Sequence, residues 1–210
     1  MEEERIYFEA RGARIEGLLS LDRRPPKGSI IICHPHPLFG GTMDNSVVVG
    51  IARVAAMWDF TSLRFNFRGV GESTGTFGGG NSEQGDVRGA IDFLEGRRKS
   101  PLILLAGYSF GAVVGLPVGA DDERVRGLIG VAPPLEVFDF GFLGNCPQPK
   151  LFVCGDRDAI CPPSKMEELF ETLLDPKWLR ILPGVDHFSY DRKGLLERAV
   201  GDFLERMGQP

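Results

Sequence analysis

The sequence predicts an α/β domain: a mostly parallel, twisted sheet of about eight strands, helices on both faces, and an antiparallel N-terminal edge. Three observations predict it. Continuous apolar runs such as Ser29-Ile30-Ile31-Ile32-Cys33 and Leu102-Ile103-Leu104-Leu105-Ala106 lack polar–apolar alternation, as expected of strands buried on both faces. These runs alternate along the chain with segments of helical apolar spacing, the order that builds parallel sheets. Between the second run and the helix after it stands Gly107-Tyr108-Ser109-Phe110-Gly111, with glycines where a sharp strand-to-helix reversal leaves no room for a side chain.

The elements follow in order. Residues 5–10 and 13–20 read as two strands joined at Arg11-Gly12, an edge hairpin. A polar, proline-containing connection over 21–27 leads to the strand at 29–33 and a loop over 34–45. Helical spacing over 45–58 predicts a helix capped by Asp44 or Asn45. Residues 60–67 alternate as a strand, and 68–80 form a glycine-rich loop. A helix capped by Asn81 or Ser82 should run to about Gly96. After the strand at 101–106, a helix is expected to about Ala120, with Pro117 kinking or shortening it. Strands at 126–131 and 150–154, a helix over 163–174, a strand at 177–182 and a helix over 190–207 complete the chain. No repeat or linker divides it, so residues 1–210 read as a single domain.

The charge balance excludes some functions. With 24 basic and 29 acidic residues the net charge is −5, against the clustered basic face that nucleic acid requires. The basic triplet Arg97-Arg98-Lys99 falls at a helix C-terminus, where it complements the dipole. The N-terminus, Met1-Glu2-Glu3-Glu4-Arg5, is acidic and lacks an apolar signal segment, and no run of about 18 apolar residues occurs. A cytoplasmic protein, not embedded in membrane and monomeric or homodimeric, is the expectation. Cys33, Cys146, Cys154 and Cys161 form no Cys-x-x-Cys pair, so reduced thiols are expected rather than a zinc or disulfide site.

Four stretches bear chemistry. The turn at Ser109 lifts a hydroxyl above the sheet edge and aims the Phe110 N–H, at a helix N-terminus, toward any oxyanion formed beside it. Asp156 and Asp158 stand where the 150–154 strand ends, and open parallel sheets bind at the carboxyl ends of their strands. Either is also an ordinary turn former. His187 follows the last strand. The loop His34-Pro35-His36-Pro37-Leu38-Phe39-Gly40-Gly41 should supply a second oxyanion N–H. Pro37 has none, which leaves His36 or Leu38. His34 and His36 could both ligate a metal, but Asp44 is the loop's only other ligand type, so neither metal nor cofactor is expected. The glycine-rich loop lacks the spacing of a phosphate cradle and reads as a tight connection under the site.

With these residues in hand, the chain resembles the α/β-hydrolase superfamily over nearly its whole length. It is most similar to small, lid-less members near dienelactone hydrolase. The His34-to-Asn45 loop resembles their oxyanion loop. Residues 64–73 resemble the superfamily's Asp-x-Arg-Gly-x-Gly-x-Ser stretch, with Asn66 in place of the Asp. Gly155-Asp156-Arg157-Asp158 resembles its Gly-x-x-Asp acid turn, which selects Asp158. Gly184-Val185-Asp186-His187 resembles its Gly-x-x-His turn. The order Ser109, Asp158, His187 is that of the superfamily's triads. Dienelactone hydrolases use Cys where this chain has Ser109, which turns the expectation away from dienelactones.

The resemblance implies a serine hydrolase that cleaves a small-molecule ester through Ser109, His187 and Asp158. Because little chain separates Val131 from Lys150, no substantial lid is expected. Tyr108, Phe138 and Phe140 are the candidate substrate contacts, with Phe142 and Leu143 beside them. Peptidase or thioesterase activity, or a non-enzymatic binding module on the same fold, are the competing readings.

Overall fold

The computed structural model describes residues 2–21, 25–97, 102–190 and 194–209. Its eight-stranded sheet has the order β1-β2-β4-β3-β5-β6-β7-β8. The hairpin β1 (Glu2–Ala10) and β2 (Ala13–Leu21) reverses at Arg11 and Gly12, both at positive φ. β2 runs antiparallel to both β1 and β4 (Phe60–Phe65), and every other pairing is parallel. β3 (Gly28–Cys33), β5 (Ile103–Tyr108) and β7 (Lys150–Gly155) are buried along their whole length, which explains their unbroken apolar runs. β6 (Val125–Val131) lies between β5 and β7, and β8 (Lys177–Leu182) forms the more exposed far edge.

The connections decide where the site falls. From β3 the chain crosses through α1 (Ser46–Met57) to β4 on one side. It then returns through α2 (Glu83–Arg97) to β5 on the other side of β3. Right-handed crossovers in opposite directions put their helices on opposite faces. α1 accordingly packs with α5 (Leu195–Met207), and α2 with α3 (Phe110–Asp121). Where strand order reverses, the loops leaving neighbouring strands part and leave a crevice. Here it opens at the carboxyl ends of β3 and β5, beyond Cys33 and Tyr108. α4 (Pro163–Thr172) precedes β8.

Several expectations change in the fold. Of the two expected caps of α1 the structure uses Asn45, whose Oδ1 accepts the Val47 N–H; Asp44 instead pairs with Arg64. Pro117 does not shorten α3, which continues to Asp121. Pro117 and Val113, whose carbonyl loses its helical donor, are both half-buried residues of that helix. The last helix starts at Leu195 rather than Tyr190, after Gly194 in a left-handed conformation. Tyr190 is instead buried beneath the acid turn. Arg98, Lys99 and Pro101 lie outside the described residues. All four cysteines are buried free thiols. Among the described residues no helix is long and apolar enough to cross a membrane.

Candidate active site

Ser109 sits between β5 and α3 at φ 52° and ψ −116°. A non-glycine residue adopts that conformation only when its surroundings impose it. The surroundings are the two flanking glycines. A Cβ on Gly107 would meet the Gly111 carbonyl oxygen at 2.4 Å, and one on Gly111 would meet the Cys33 carbonyl oxygen at 2.2 Å. Backbone therefore packs on backbone, and the turn is pressed against the end of β3. Gly111→Ala should destabilise the protein by about 3 kcal/mol or more, since only a backbone shift relieves such a clash. A urea midpoint equal to that of the wild type would refute this account of the turn.

The Ser109 Oγ lies 2.9 Å from His187 Nε2. His187 Nδ1 lies 3.0 and 2.9 Å from the two Asp158 carboxylate oxygens. Asp158 is buried and also accepts the Ile160 and Cys161 N–H groups and the Tyr190 hydroxyl, at 2.9, 2.8 and 2.8 Å. Burial pushes its carboxyl up, but the bonds from His187, Cys161 and Tyr190 outweigh burial and hold it below the usual carboxylate range. The Tyr190 phenol is pushed strongly upward by burial and by the Asp158 charge, so it stays a donor. Asp156 is exposed, and its Oδ1 accepts the Gly184 N–H at 2.7 Å, bracing the loop that carries His187. Of the two acids at the end of β7, only Asp158 reaches the histidine.

The loop after β3 contains a short 3₁₀ helix, Pro37–Phe39. Its Leu38 N–H donates to His36 Nδ1, the Phe39 and Gly41 N–H groups to the His36 carbonyl, and the Gly40 N–H to the Pro37 carbonyl. Among the described residues, neither the His36 N–H nor the Phe110 N–H has a protein acceptor. Leu38 is thus corrected as a candidate, because its donor is engaged within the turn. His34 and His36 do not converge. His34 is fully buried, its Nε2 accepting the Phe67 N–H and its Nδ1 facing the Pro35 carbonyl. Burial holds it at about 4, with the Pro35 carbonyl working the other way. Among the described residues no cluster of three or more His, Cys, Asp or Glu could hold a metal ion.

A cavity of about 700 Å³ opens over Ser109. Phe39, Phe110, Val137, Phe138, Ile160 and Phe188 are among its walls, and among the described residues no Asp, Glu, Lys or Arg is. Tyr108 lines it too, with its hydroxyl donating to the His187 carbonyl at 2.5 Å. Phe140 does not line it. It is buried in the core with Leu143, its ring 6.0 Å from that of Phe142, because the short loop between β6 and β7 turns that side chain inward. The glycine-rich loop is held by the buried Glu83 carboxylate, which accepts the Gly78 and Gly80 N–H groups at 2.7 Å each. Asn66 ties it to the neighbouring loop by accepting the Met43 N–H at 2.8 Å. Sequence reasoning gave no role to Tyr190 or Glu83. No local pattern marks either one, since what each supports comes from the folded turn beside it.

This chain has relatives in sequence and in fold. No family model matches the chain. An uncharacterised protein of Rickettsia prowazekii is 32% identical over 210 residues, covering 95% of this chain and 87% of that protein. The structure of an α/β serine hydrolase homologue from Coxiella burnetii superposes with a TM-score of 0.89 at 32% identity, covering 97% of this chain and 98% of that one. The chain belongs to the α/β serine hydrolases. A lid-less member from Xanthomonas campestris gives the same TM-score at 32% identity, covering 98% of this chain and 95% of its own. In the hydrolase, β6 and β7 are joined by a short connection with one 3₁₀ helix, Gly141–Asn145.

Proposed function

We propose that this hydrolase is a carboxylesterase that cleaves small, neutral acyl esters by acyl transfer to Ser109. The observation that carries the reading is the continuous row of hydrogen bonds from Ser109 Oγ through His187 to Asp158. Ser109 Oγ attacks the ester carbonyl while His187 Nε2 takes its proton. Asp158, facing Nδ1, holds the imidazole in the tautomer whose Nε2 accepts, and it stabilises the imidazolium that forms. The tetrahedral oxyanion is received by the His36 and Phe110 N–H groups, which have no protein acceptor among the described residues. His187 then protonates the departing alcohol. Water, deprotonated by the same nitrogen, attacks the acyl-enzyme and returns Ser109 to its hydroxyl form.

The cavity supports the substrate class. Among the described residues its aromatic and aliphatic walls offer no Asp, Glu, Lys or Arg to pair with a carboxylate or an ammonium group, and burying an unpaired charge there costs several kcal/mol. Among the described residues, the connection from β6 to β7 carries only one 3₁₀ helix, which gives little to hold a peptide against the cavity. A fluorophosphonate probe should label Ser109. Neutral p-nitrophenyl esters should be cleaved at least about 10-fold faster in kcat/KM than an ester bearing a free carboxylate on its acyl group. Aminoacyl amides should be poorer still. A wild-type protein that resists the probe, or one that prefers amides or charged acyl groups, would overturn the proposal.

A further inference from the structure

We infer that the side chain of His36 is a positioning residue for the oxyanion hole, its Nδ1 clamping the Pro37–Phe39 turn so that its own N–H stays available to the oxyanion. The inference rests on the serine-hydrolase reading above and goes beyond it, because it gives the imidazole a role separate from that of the backbone.

Three contacts meet at this residue. Its Nδ1 accepts the Leu38 N–H at 3.2 Å, capping the 3₁₀ helix from inside the loop. Its carbonyl accepts the Phe39 and Gly41 N–H groups at 3.1 and 3.0 Å. Its ring packs on Phe110, the residue with the other free N–H, at 4.6 Å between centroids, and on Phe77 of the glycine-rich loop at 5.1 Å. Side chain and carbonyl together take up the neighbouring donors of the turn. Without Nδ1, the solvent-exposed Leu38 N–H would turn to water, and the turn would lose the side-chain bond that ties it to His36. The His36 carbonyl anchors the same turn, so loosening the turn would loosen the peptide between Pro35 and His36 with it.

An accepting Nδ1 requires a neutral ring protonated on Nε2. Burial lowers the basicity of His36, with Glu83 on α2 acting the other way, so the neutral ring is favoured. A histidine is not required for the cap itself. Asn45 does the same work for α1, its Oδ1 accepting the N–H two residues on at 3.0 Å, and Asn is among the best cap residues.

Two variants separate the cap from the ring. His36→Phe keeps an aromatic ring against Phe110 and Phe77 but has no acceptor. His36→Asn keeps the acceptor and loses the ring. Steady-state kinetics on a neutral p-nitrophenyl ester should show kcat lowered about 10- to 100-fold in His36→Phe, with KM within about threefold, because the lost stabilisation belongs to the transition state. His36→Asn should recover most of kcat, and the thermal midpoints of the two variants should not rank with their activities. Wild-type kcat in His36→Phe, a better enzyme in His36→Phe than in His36→Asn, or kcat losses that follow thermal stability would each overturn the inference. Labelling of Ser109 by the fluorophosphonate keeps the two proposals apart. If the wild type is labelled and the variants behave otherwise than expected, the clamp alone fails. If the wild type is not labelled, the serine mechanism fails and the clamp falls with it.

Discussion

Ser109→Ala should lower kcat by roughly 10⁴-fold or more while leaving thermal stability close to that of the wild type. The scaffold explains both halves. The Ser109 backbone is held at positive φ by backbone packing around Gly107 and Gly111, and alanine meets the same restraint at the same cost. Its Oγ is bonded to His187 Nε2 and caps nothing in α3, so removing it takes away the attacking atom and a single hydrogen bond. The His36 and Phe110 N–H groups, the proposed oxyanion donors, remain, and a small residual rate is expected from them. Turnover at near wild-type rate, with the fluorophosphonate found on another serine, would dismiss Ser109 as the nucleophile.

Asp158→Asn should lower kcat by about 10³- to 10⁴-fold, whereas Asp156→Asn should change it less than about 10-fold. Every partner of the Asp158 carboxylate is a donor: the His187 ring, the Ile160 and Cys161 N–H groups and the Tyr190 hydroxyl. A carboxamide supplies one acceptor oxygen and places an NH₂ against donors. With that NH₂ facing Nδ1, His187 takes the tautomer protonated on Nε2, which cannot accept from Ser109. Buried donor–donor contacts should also lower the thermal midpoint. Asp156 is different, because its contact is with the Gly184 N–H at an exposed turn, and an Asn oxygen can replace it. Equal losses in the two variants, measured on the same neutral ester, would mean that position 158 acts only through the shape of the turn.

The two acids also mark how far the sequence is legible. A loop Asp after a buried strand is visible in either case, and the Gly-x-x-Asp resemblance points to Asp158. Only the folded loop shows why the other faces away: Gly155 backs directly onto the Val185 carbonyl, where an added Cβ would lie 2.1 Å from the oxygen. The turn that Asp156 braces therefore sits hard against the acid strand, with Asp156 on its solvent side.

What the sequence determined by itself is everything that rests on neighbours in the chain. Apolar runs without alternation mark strands buried on both faces, Asp44-Asn45 ahead of an apolar periodic stretch marks a helix start, and paired glycines around Ser109 mark a reversal too tight for side chains. Strands alternating with helices then dictate a mostly parallel sheet whose loops meet at one edge, which brings together the segments bearing Ser109, Asp158 and His187. The tertiary structure decided whatever depends on partners far apart in sequence. It decided that Tyr190 lies beneath the acid instead of starting a helix, that Tyr108 holds the His187 loop by its carbonyl, and that Phe140 turns into the core while Phe138 faces the cavity. It also decided that the Leu38 donor is engaged while, among the described residues, the His36 donor meets no protein acceptor. The physical reason is that backbone conformation responds to residues a few positions away, whereas a hydrogen-bond partner or a packing face is set only once strand order and loop approach bring distant segments within a few ångströms.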